Sequence, residues 1–183
     1  TDKPQSIDFA HLDIPPYWFH PQPVLASTPG AHRWAWDFQQ TDDDGPLVPP
    51  GRYTVALTAG GRTYRQPLTI VNDPRVHASD ADLRAQYAFA LEVQAELARV
   101  RAARARALKA GLKALAGGEF SGTPDQGGPI PQDVHSLRAI AGGLGALYAA
   151  VESAPSAPTP EFRRSFAALR ALAETAMAQL PKK

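Results

Sequence analysis

The chain has no cysteine and a single methionine among 183 residues, which excludes disulfides and thiolate-bound metals without identifying a compartment. Net charge is also scarce. With 19 Lys and Arg against 18 Asp and Glu, the formal charge is +1, which argues against bulk attraction to nucleic acid or anionic lipid. No apolar run approaches the roughly 20 residues of a membrane span, so no membrane-crossing helix is expected. The chain opens at Thr1 without a signal-peptide pattern, and a fragment or processed product is expected. What is present is 44% hydrophobic residues, enough for the core of one ordinary domain or two small ones.

Composition changes across 45–74. All three Trp and eleven of the eighteen Pro lie at or before Pro74, with no run of helical spacing, whereas the later chain is rich in Ala, Leu and Arg with apolar residues three and four apart. The expected division is a Pro-rich arm and β half over 1–76, then a helical half over 77–183.

In the β half, prolines confine 1–29 to extended or edge-like chain, with 7–12 the one plausible early strand. The arm carries Tyr17, Trp18 and Phe19, which either dock on the β half or stand out as a sugar-stacking surface. His32, Trp34, Trp36 and Phe38 alternate with Ala31, Arg33, Ala35 and Asp37, so a strand is expected with three large rings on one buried face. An exposed ring platform is the alternative. Asp42, Asp43, Asp44 and Gly45 resemble the start of a calcium loop, but the later ligands are missing and a solvated turn is expected. Pro49-Pro50-Gly51 turns into a strand over 52–58, where Tyr53, Val55 and Leu57 share a face. Ala59-Gly60-Gly61-Arg62 supplies the positive φ values of a hairpin, and 63–71 returns with Leu68 and Ile70 inward.

In the helical half, Ser79 is expected to cap a helix over about 79–116, with Asp80 and Asp82 in its first turn. Val93, Leu97, Val100, Leu108, Leu112 and Leu115 form its apolar stripe, and Arg99, Arg106, Lys109 and Lys113 its solvated basic face. Arg101 and Arg104 fall beside the stripe and each requires a carboxylate or an outward reach; Glu152, Glu161 and Glu174 are candidates. The Gly- and Pro-rich segment 117–132 is expected to be a loop. A second helix over 133–152, capped by Asp133, buries Val134, Leu137, Ile140, Leu144, Tyr148 and Val151, and Gly142, Gly143 and Gly145 point to close helix approach. Thr159-Pro160 starts a third over 160–180, with Phe162, Phe166, Leu169, Ala173, Ala176 and Leu180 inward. An antiparallel three-helix bundle is the expected arrangement.

Chemistry-bearing patterns are few. His11, His20, His32, His77 and His135 have no zinc-like spacing, and no nucleophile elbow, phosphate loop or dinucleotide fingerprint occurs. Asp8, Asp13 and Asp37 are the acidic residues that convergence in space would have to unite for hydrolytic chemistry. No catalytic residue, no metal and no cofactor is expected, and the six basic residues of 99–113, lacking stacking aromatics, are not read as a nucleic-acid surface.

Ala31-His32-Arg33-Trp34-Ala35-Trp36-Asp37-Phe38, the run Gly45-Pro46-Leu47-Val48-Pro49-Pro50-Gly51-Arg52-Tyr53-Thr54-Val55, then Gln66-Pro67-Leu68-Thr69-Ile70 and Asp73-Pro74-Arg75-Val76 resemble the C-terminal region of large bacterial sortilin-type β-propeller proteins. These are often labelled glycosyl-hydrolase-like or neuraminidase-repeat proteins. The resemblance is strong over about 14–94 and loose beyond. It implies an α+β fold with segregated halves, an immunoglobulin-like antiparallel β-sandwich, here incomplete, followed by helices. It also implies an exported protein, periplasmic or extracellular, with this region behind a propeller. No Ser-x-Asp-x-Gly-x-Thr-Trp blade repeat occurs in the chain, so no glycosidase residue carries over. The resulting expectation is a non-catalytic accessory or protein-interaction module whose partner is the upstream propeller or another protein. The alternative is a carbohydrate-binding module that holds a glycan on Tyr17, Trp18 and Phe19.

Overall fold

The computed structural model describes residues 27–40, 45–118 and 135–181. The chain divides into two compact units, Thr1–Leu47 and Val48–Lys183. The elements among the described residues are β1 (Gly51–Ala59), β2 (Arg62–Ile70), α1 (Asp80–Lys109), α2 (Lys113–Ala116), α3 (Leu137–Glu152) and α4 (Pro160–Met177), all of which lie in the second unit.

The expected immunoglobulin-like β-sandwich is not the fold. Among the described residues there is one sheet of two antiparallel strands, and the molecule is mainly helical. A sandwich requires two sheets packed face to face, and the segment expected to provide a strand around Trp34 and Trp36 joins no ladder beyond the single bridge from Gln39 to Leu47. Period-two alternation reports a pleat; it does not supply the neighbouring strand. The hairpin itself forms as its turn dictates. Gly60 and Gly61 both take positive φ, 56° and 75°, the pair of values that reverses the chain in two residues with the twist the strands need.

Among the described residues four helices replace the expected three. α1 starts at Ser79, whose hydroxyl accepts from the Asp82 N–H at 3.2 Å while the Asp82 carboxylate accepts from the Ser79 N–H at 3.1 Å, a reciprocal capping box. It stops at Lys109 because Gly111 adopts a φ of 72° and turns the chain. Leu112 N–H then donates to the Ala107 carbonyl at 2.9 Å, and Gly111 N–H to Leu108 at 3.1 Å. These two bonds are the Schellman closure, and the short α2 follows it as a separate turn.

The core lies between α1, α3 and α4. α1 contributes Phe89, Ala90, Val93, Leu97, Val100, Ala103 and Ala107, and α3 contributes Leu137, Ile140, Leu144, Leu147 and Val151. Small residues close the stripe of α1 at its end, so Leu108, expected inside, is exposed. From α4 and its exit come Phe166, Ala173, Ala176 and Leu180. Phe89 meets Phe166 edge to face at 5.5 Å, and the Arg163 guanidinium covers the Phe89 ring at 5.2 Å. Of the three glycines expected to allow close helix approach, only Gly143 does so: a Cβ there would stand 2.8 Å from Leu169 Cδ2, whereas Gly142 and Gly145 face open space.

Candidate interaction surface

The register of the hairpin sorts its side chains by face, because directly opposed residues of an antiparallel pair point the same way. Tyr53 opposes Leu68, Leu57 opposes Tyr64, and Gly51 opposes Ile70. With Val55 these make a largely apolar face, which also bears Gln66 opposite Val55 and Arg62 beside the turn. At the base of the hairpin Tyr53, Leu68 and Ile70 are half-buried, and the Tyr53 hydroxyl donates to the Pro49 carbonyl at 2.6 Å. Burial, and then the nearby Tyr87, push that phenol above its ordinary pKa. Towards the turn the same face is open to solvent, with Val55 52%, Leu57 54% and Tyr64 56% exposed. The other face carries Arg52, Thr54, Thr58, Thr63, Arg65 and Thr69, and Thr58 and Thr63 hydroxyls join at 2.9 Å.

Beyond the hairpin, Asn72 anchors the connection into α1. Its side-chain amide donates to the Ala78 carbonyl at 3.2 Å. Asp73 takes the Arg75 guanidinium in a two-pronged pair, with Nη2 at 2.6 Å, which holds the carboxyl below its ordinary range.

In the first unit the residues expected as an aromatic strand, 31–38, form no regular element. Trp34 is 48% and Phe38 47% exposed, so neither fills a core, and Trp36 is half-buried with its indole N–H donated to the Gln39 carbonyl at 2.8 Å. The Trp36 and Phe38 rings lie 5.3 Å apart. Phe38 has a φ of 63°, a left-handed conformation unusual for a bulky residue, and it interrupts the alternation on which the strand expectation rested. Asp37 Oδ1 accepts the Gln39 N–H at 3.0 Å.

Of the residues singled out from sequence, Tyr17, Trp18, Phe19, Asp8, Asp13, Asp42, Asp43, Asp44, His11, His20, Asp133 and Val134 lie outside the described residues. Among the described residues no three His, Cys, Asp or Glu side chains gather as metal ligands, and no helix is long and apolar enough to cross a membrane. Neither Arg101 nor Arg104 takes a carboxylate there. Arg104 instead donates through Nε to the Ala116 carbonyl at 3.2 Å, and Arg101 is exposed. Arg99, expected on the solvated face, takes a carboxylate instead: it pairs with Glu174 of α4 and with Glu96 at 3.3 Å. Glu174 raises the Arg99 pKa further above its ordinary value.

Among the described residues three buried polar side chains escaped the sequence reading: Glu96, Gln86 and Ser136, the last capping α3 by accepting the Ala139 N–H at 3.2 Å. Glu96 lies within the apolar stripe, and its Oε1 has no hydrogen-bond partner. Gln86 holds the far end of α3: its Nε2 donates to the Val151 carbonyl at 2.6 Å and the Ala154 carbonyl at 3.0 Å, while its Oε1 accepts from the Ser156 N–H at 3.3 Å. The signal for Gln86 was its place three residues before Phe89, on the side the helix buries.

No family model, no curated protein and no solved structure matches this chain.

Proposed function

We propose that the chain is a non-catalytic protein-interaction module that binds through the apolar face of its hairpin. The observation that carries this reading is Val55, Leu57 and Tyr64 lying exposed beside one another on a sheet that has two strands among the described residues. Neighbouring apolar side chains left to water mark contact surfaces, and a two-stranded sheet alone is marginally stable. A partner on that face covers the one and reinforces the other. The resemblance of 14–94 to the tail of exported sortilin-type proteins supports a β-propeller as that partner.

The test is a calorimetric titration of the chain against a separately produced propeller of that type, with wild type and with the double variant Leu57→Asp/Tyr64→Asp. Both side chains are exposed, so the variant is expected to keep its helical circular dichroism and to lose binding at least about tenfold. Undiminished binding would remove the hairpin from the interface, and turnover of any glycoside would overturn the non-catalytic reading.

The exposed rings of Trp34 and Phe38 favour a second reading, a carbohydrate-binding module, since flat aromatic faces stack on sugar rings. A glycan panel titrated against wild type, Trp34→Ala and Trp18→Ala separates the two: saturable binding lost in either variant replaces the protein partner with a glycan.

A further inference from the structure

The hairpin presents two chemistries on its two faces and, among the described residues, an open edge along β1. Between 45 and 72 the chain carries Arg52, Arg62 and Arg65 and no acidic residue. Among the described residues neither Arg52 nor Arg65 enters an ion pair, and β1 has only β2 as a neighbour. β2 contains Pro67, which has no N–H to offer an incoming strand, whereas β1 contains no proline.

The geometry points to β1 as the docking edge for one extended strand of a partner protein in which acidic and apolar residues alternate. This inference rests on the hairpin being the interaction surface and names its occupant. A strand laid along β1 extends both faces at once, because its side chains alternate as those of β1 do. Its apolar residues continue the face of Tyr53, Val55 and Leu57, and its carboxylates reach the face that bears Arg52. Opposite charges across neighbouring strands stabilise the pairing and like charges oppose it. A second copy of this hairpin brings three more arginines and no carboxylate, so the charge pattern selects an acidic partner over self-pairing.

The experiment uses the full chain and three labelled peptides of nine residues, the length of β1. One alternates Glu with Val, one alternates Lys with Val, and one has the Glu–Val composition rearranged in blocks that break the alternation. In fluorescence anisotropy at low salt the alternating Glu–Val peptide is expected to bind at least about tenfold more tightly than the other two, and to weaken as salt screens the charges. Amide exchange is expected to slow along β1 and to stay unchanged in α1. The double variant Arg52→Glu/Arg65→Glu, altered only at exposed positions, is expected to move the preference to the Lys–Val peptide.

Equal affinity for the three peptides, protection away from β1, or self-association in place of peptide binding overturns the inference. If Leu57→Asp/Tyr64→Asp abolishes propeller binding while the arginine reversal changes nothing, the acidic strand fails and the interaction module stands. If neither variant matters, both fail.

Discussion

Gln86 is a buried amide whose three hydrogen bonds all go to backbone groups at the α3–α4 turn. Because a buried carbonyl deprived of its donor keeps its desolvation cost, Gln86→Ala is expected to destabilise the chain by about 2–4 kcal/mol in urea denaturation. Gln86→Glu gives a further expectation with a sign. A carboxylate there would face two carbonyl oxygens, so the folded state would raise its pKa above the unfolded value of about 4.3. The acid form, which donates, is then present in full below that value, and the stability it brings is lost as pH rises through the folded pKa. A stability–pH profile rising steeply on acidification in this variant and not in Gln86→Ala checks the assignment. Arg99 offers a second residue-scale contrast. Removing it as Arg99→Met strands buried Glu96, whose Oε1 already lacks a partner, and is expected to cost about 1–3 kcal/mol, less than a fully buried pair because water reaches the guanidinium side. Glu96→Leu, which removes the buried charge, is expected to be neutral or stabilising in the same denaturation assay.

At the level of elements, the signals that act through local backbone geometry were legible and those that depend on distant partners were not. Ser79 with Asp82, Gly60 with Gly61, and Thr159 with Pro160 each specify a start or a turn from a few adjacent residues, and the structure uses all three. Gly111 was equally local but was read as helix interior, because Leu112 and Leu115 continued the apolar spacing across it. The strand expected around Trp34 and Trp36 failed for the opposite reason: its alternation is real in the sequence, but a strand exists only where another pairs with it. The aromatic surface that was expected inside is therefore outside, and Trp34→Ala should cost under about 1 kcal/mol where a core tryptophan costs about 3–5. The capping box carries a pH dependence. The Ser79 hydroxyl, and then its backbone N–H, lower the Asp82 pKa, so the contribution of the charged carboxylate is complete above the ordinary carboxylate range and is lost as pH falls through the depressed value. Amide exchange of the first turn of α1 should quicken on that acid limb, and Ser79→Ala should lower stability by about 1 kcal/mol at neutral pH. In α3, Gly142→Ala and Gly145→Ala meet open space and are expected to stabilise by up to about 1 kcal/mol each in thermal melts, whereas Gly143→Ala must displace Leu169 and should gain less or lose.

Across the second unit, resistance to opening is uneven. The helices bury a continuous core, while the hairpin keeps most of its side chains in water. Leu144→Ala, at a fully buried position, is expected to cost about 2–5 kcal/mol when helix unfolding is followed by circular dichroism, and Leu57→Ala is expected to stay within about 0.5 kcal/mol. Native-state amide exchange should show β1 and β2 opening well before α1 and α3. Melting of the hairpin and the helices as one step, at equal protection, would contradict this division.

The bonds of Gln86 also bear on how the turn between α3 and α4 tolerates sequence change. Since Ala154 and Ser156 are held by a carbonyl and an N–H that every ordinary residue possesses, and both side chains are exposed, a saturation library at either position should return nearly the whole alphabet. Proline at 156 is the exclusion, because it alone removes the hydrogen that the amide oxygen receives. The identity that matters to this turn is therefore encoded some seventy residues upstream of it, and drift within the turn leaves the junction intact for as long as position 86 is kept.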